Sequence, residues 1–84
     1  MASARKILDQ VLGGTSDANI PFRDLRQLLM SLGFAERISG GHHTFRRTGV
    51  RELINIQKEG SKAKPYQVRQ VRRVILEYNL AGEI

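Results

Sequence analysis

The fold turns on Gly33-Phe34-Ala35-Glu36-Arg37-Ile38-Ser39-Gly40-Gly41-His42-His43-Thr44-Phe45-Arg46-Arg47-Thr48-Gly49. Residues 34–39 read as a strand, Gly40-Gly41 as a tight turn, and residues 42–47 as a returning strand. Side chains alternate across a strand, so His43 and Phe45 share one face while His42, Thr44 and Arg46 share the other. Thr48-Gly49 turns the chain again. Residues 51–57 make the third strand, with Leu53-Ile54-Asn55-Ile56 as its apolar part and an imperfect alternation that leaves its register open.

Helices flank this meander. Upstream, Leu25, Leu28, Leu29 and Leu32 recur at the spacing of one helix face, which predicts a helix over 22–32 with Pro21 at its entrance and Gly33 past its end. Before it, Ile7, Leu8, Val11 and Leu12 form the stripe of a first helix over 4–12, closed by Gly13-Gly14, and residues 15–19 read as a loop. Downstream, residues 58–64 read as a lysine-rich loop. Pro65 then opens a last helix with Val68, Val71, Ile75 and Tyr78 on its buried stripe and Asn79 as its terminator. Phe34 and Phe45 belong to the core. The order predicts an α+β fold: a three-stranded antiparallel sheet with helices packed on one face, plus an extra N-terminal helix.

The chain has 84 residues, room for one domain: an N-terminal helix and loop over 1–19 and a core over 20–80. Cysteine is absent, which excludes disulfides, thiol nucleophiles and cysteine-based metal sites and suits a reducing compartment. No apolar run approaches the roughly 18–20 residues that span a bilayer, and the N-terminus is too polar for a signal peptide. A cytoplasmic protein with no membrane partner is expected.

Charge is segregated. Lys and Arg number 14 against 8 Asp and Glu, a net +6. Residues 1–36 are neutral, residues 37–73 carry +8, and residues 74–84 carry −2. The basic middle suggests a face for a polyanion. Three basic groups stand out: Arg46, Arg47 and Arg51 at the second turn; Lys58, Lys62 and Lys64 in the loop; Arg69, Arg72 and Arg73 on the last helix. A lysine-rich loop entering a helix N-terminus suits phosphate. The few aromatic residues make no stacking ladder, and Tyr66 alone is placed to touch a partner.

The two histidines of the chain are adjacent, after two glycines that would let a phosphate backbone approach. No carboxylate lies within five residues of the pair, so no metal site is expected. Histidine gives and takes protons near neutral pH. RNA supplies its own nucleophile, the 2′-OH, so a positioned imidazole and a nearby cation suffice to cleave it. The blander alternative leaves both as ordinary strand residues.

Leu32-Gly33-Phe34, then Ser39-Gly40-Gly41-His42-His43-Thr44-Phe45-Arg46, then Leu53-Ile54-Asn55-Ile56 and Gly60-Ser61-Lys62 before Pro65 together resemble the HicA family of toxin ribonucleases, with residues 22–80 covering the family core. The resemblance implies a double-stranded-RNA-binding-domain-like fold. It implies a metal-independent endoribonuclease that cuts mRNA, uses no cofactor and is blocked by a HicB-like antitoxin. It carries the catalytic role to His42. RNA contacts are expected at Gly40, Gly41, His43, Arg46, Arg47, Lys58, Ser61, Lys62, Lys64 and Arg69. Gly41 stands where the family usually has serine. Residues 16–22 resemble the entry of a longer subgroup. Two other readings are a non-catalytic RNA-binding module and an adaptor whose basic face meets an acidic protein.

Overall fold

The computed structural model describes residues 3–84. Helix α1 is Ala4–Gly13; Ser3 caps it by accepting the Lys6 amide at 3.2 Å, and Gly14 at φ +73° closes it. A short 3-10 turn, Asp17–Asn19, leads to α2, Phe22–Ser31. Strands β1, Ala35–Ser39, β2, His42–Arg46, and β3, Ile54–Ile56, pair antiparallel in that order. Strands β4, Lys58–Glu59, and β5, Lys62–Ala63, form a second small sheet. Helix α3, Pro65–Glu77, follows, with Asn79 at φ +55° turning the chain out of it.

The register aligns Glu36 with Phe45, Ile38 with His43, His43 with Ile56, and Phe45 with Ile54. These residues share the face that looks toward the helices, where Phe45, Ile54 and Ile56 are fully buried. The opposite face carries Arg37, Thr44 and Asn55 in one row, with Arg37 and Asn55 exposed and none of the described helices packed over them. The leucines of α2 and the valines of α3 complete one core, as their spacing predicts. Ile7, Leu8 and Val11 of α1 are buried in that same core, against α2 and α3, so the N-terminal extension braces the fold.

Three expectations are revised. The third strand spans three residues rather than 51–57, because only Ile54, Asn55 and Ile56 oppose β2, and Leu53 points outward. The segment 58–64 is a hairpin rather than a loop. Gly60 at φ +65° makes its turn, and its flank lies along the entrance of α2: Phe22 N–H donates to Ser61 C=O at 3.0 Å, and Ala63 N–H to Ile20 C=O at 2.9 Å. Leu12 and Tyr78 pack only partly against the core. No helix among the described residues is long and apolar enough to cross a membrane.

Candidate active site

His42 opens β2 directly after the Gly40-Gly41 turn, on the sheet face that no helix covers, and is exposed. Gly40 sits at φ +60°, a conformation that a side chain resists. Around Gly41, no heavy atom lies within 4 Å of where a Cβ would stand, so the approach to the histidines is open. Beside the His42 ring lies the side-chain amide nitrogen of Gln57, 3.0 Å from Nδ1 and 3.1 Å from Nε2. The other end of that amide accepts from Lys64 Nζ at 3.1 Å. An ammonium only donates, so Gln57 turns its oxygen to Lys64 and its NH2 to His42. The backbone N–H of Gln57 donates to Gln67 Oε1 at 2.8 Å, and Gln67 is only 3% exposed. A buried glutamine thus fixes the residue that links His42 to Lys64.

His43 faces the other way. Its Nδ1 lies 2.8 Å from Glu36 Oε2, and its ring meets Phe22 edge-on at 4.8 Å. Glu36 also accepts Arg26 at 2.6 and 2.7 Å. The Arg26 guanidinium holds the Glu36 carboxyl below its ordinary range; burial opposes this, and His43 assists. The acid that the sequence keeps seven residues from His43 is thus brought into contact by the β1–β2 pairing. Ile38, cross-strand from His43, is 55% exposed, so the helices stop short of this end of the sheet.

The cations divide. Lys58 and Lys64 line an open cleft with Gly41, His43 and Gln57. Lys58 Nζ also lies 5.6 Å from the centroid of the Phe22 ring, and Ser61 sits beside it in an adjoining recess with Pro21, Phe22 and Arg23. Lys62, on β5, donates to Asn19 at 3.1 Å. Arg69 lies within the field of Asp17, on the α3 side of the 3-10 turn. Arg46 and Arg47 are not brought to His42. Arg46 ends β2, four residues on and roughly 13 Å along the strand, and Arg47 follows it. There Arg47 pairs with Glu83 at 2.8 Å, and with Arg46, Arg51 and Glu52 it lines a separate recess.

Two arginines of the last helix leave the candidate interface altogether. Arg72 donates to both Asp17 oxygens at 2.8 and 3.1 Å and to Val11 C=O at 3.0 Å, which ties α3 to the N-terminal extension. Its guanidinium pulls the Asp17 carboxyl below its ordinary range, with Arg69 adding to the pull and burial opposing it. Arg73 grips Glu52 at 2.7 and 3.2 Å. Tyr66 is 56% exposed beside the cleft lysine Lys64. Sequence reasoning missed Glu36, Gln57 and Gln67. Of these, Glu36 alone carried a hint, as an acid in the inward phase of a strand.

Comparison with protein-family models, with curated proteins and with solved structures finds no match to this chain.

Proposed function

We propose that this chain is the toxin of a HicA-type toxin–antitoxin pair: a cytoplasmic endoribonuclease that cuts mRNA without a metal ion and is silenced by a HicB-like antitoxin. The observation that carries this reading is the placement of His42. It is an exposed imidazole on an open glycine turn, tied through Gln57 to Lys64, and among the described residues no carboxylate ion-pairs with the nearby lysines. The order α2–β1–β2–β3–α3 supports the double-stranded-RNA-binding-domain-like fold that goes with it.

The chemistry asks little of the protein. The 2′-OH of RNA attacks the adjacent phosphorus, and His42 serves as a general acid/base for the proton movement. Lys64 and Lys58 would offset the charge that develops on the phosphorane, and among the described residues no carboxylate holds either of them. Gly41 lets the phosphodiester backbone come close. An antitoxin that presents acidic groups to the same lysines would block the site.

A labelled mRNA incubated with the purified protein in chelator, beside His42→Ala, tests this. Cutting by the wild type alone supports the toxin reading. Binding without cutting by both proteins replaces it with the non-catalytic RNA-binding module, which needs the lysines and leaves His42 without a task.

A further inference from the structure

We propose that His43 is the second proton-transfer group of this site, the base that takes the 2′-OH proton, with Glu36 as its positioning residue. The inference rests on the ribonuclease reading above and gives a chemical role to the histidine that the sequence places only among the RNA contacts.

The tautomer follows from the hydrogen bonds. Glu36 is gripped by Arg26 through both oxygens and stays ionised, so it only accepts. The ring nitrogen beside it, Nδ1 at 2.8 Å, must therefore carry the hydrogen. In the neutral ring this leaves Nε2 with a bare lone pair. Among the described residues Nε2 has no hydrogen-bond partner, and it reaches solvent. The side chain as a whole is only 17% exposed, and that exposure opens on the cleft with Gly41, Gln57, Lys58 and Lys64. The edge-on Phe22 ring holds the imidazole plane. An oriented histidine with a carboxylate behind it and a bare nitrogen toward a cationic cleft is built to accept a proton from a bound hydroxyl. His42 stands on the opposite face of β2, and Gln57, which touches the His42 ring and lines the same cleft, joins the two histidines at the end of the sheet.

The step balances without a cofactor. The O2′–H bond breaks and its proton passes to His43 Nε2. The O2′ electron pair forms the new bond to phosphorus. The bond from phosphorus to O5′ breaks, and O5′ takes a proton from protonated His42. The products are a 2′,3′-cyclic phosphate and a 5′-hydroxyl end, and water returns both histidines to their starting states.

The test compares an ordinary oligoribonucleotide with one whose scissile 5′ oxygen is replaced by sulfur, a leaving group that needs no proton. The proteins are the wild type, His42→Ala, His43→Asn and Glu36→Gln. His43→Asn is expected to lose about 100-fold or more on both substrates, as removal of a general base should. His42→Ala should be inert on the ordinary substrate and recover on the sulfur one. Glu36→Gln should lose about 10- to 100-fold in kcat with KM unchanged. It should also move the ¹⁵N shifts of His43 away from the Nδ1–H tautomer, a change that lost packing alone does not produce. Thermal melts confirm that each variant is folded. If His43→Asn cuts at the wild-type rate, the proposal is overturned while the nuclease reading stands. Rescue of His43→Asn by sulfur overturns the base assignment. A wild type that cuts neither substrate takes down both.

Discussion

The two ends of the three-stranded sheet carry positive charge in different ways. At the end where β2 begins, Lys58, Lys62 and Lys64 reach only neutral partners among the described residues: an aromatic ring, an asparagine oxygen and a glutamine oxygen. Where β2 ends, Arg47 is bound to Glu83, and nearby Arg73 is bound to Glu52. A guanidinium fork matches a carboxylate and becomes a tie within the fold, whereas an ammonium on a flexible stem remains available to a ligand. A net charge therefore says little about binding until one knows which cations the fold has already used.

The sharpest way to break this contrast is at His42. Its removal as His42→Ala should lower cleavage by about 10²- to 10⁴-fold with an unchanged thermal midpoint, since the ring is exposed. At the other extreme of function, Asp17→Asn should leave cleavage intact and lower stability by about 2 kcal/mol in urea unfolding, because it weakens a charged double hydrogen bond at a partly buried site. The same pair sets an acid limit. The Asp17 carboxyl is depressed in the folded chain, so its contribution is complete above the ordinary aspartate range and is lost as pH falls through the folded value. Asp17→Asn should flatten that part of the stability–pH curve.

Smaller effects sharpen the comparison between lysine and arginine. Lys64→Gln should weaken RNA binding and reduce the slope of log affinity against log salt by about 1. Arg73→Gln should leave that slope alone, since its guanidinium already holds Glu52. The finest contrast lies between two neighbouring glycines. Gly40→Ala, at φ +60°, should cost about 1 kcal/mol. Gly41→Ser has open space around its Cβ and should change stability by less than about 0.5 kcal/mol, while placing a hydroxyl beside His42.

The strands, the helices and the core were legible because their periodicities are local. The leucines over 22–32 and the valines after Pro65 announce a buried stripe without any knowledge of what covers it. The hairpin Lys58–Ala63 was not legible: two-residue strands are too short to show alternation, and its charged residues read as a solvated loop. The roles of the arginines were hidden for another reason. Arg72 and Asp17 are 55 residues apart, and nothing nearby in the chain marks them as partners. His42 was singled out from its neighbours in sequence. Gln57 and Glu36, which orient the two histidines, required the strand register.

The contacts of Arg72 also bear on how the molecule comes into being. Val11 and Asp17 emerge from the ribosome before the side chain that joins them, which arrives with α3. A nascent chain that stops at Lys64 holds both histidines and every lysine of the cleft, yet it lacks the helix that seals Ile7, Leu8 and Val11. Its apolar surfaces stay uncovered, and the sheet has nothing to close against. The surface that presents both histidines is therefore completed only when α3 docks, and a prematurely terminated product would be a target for proteolysis.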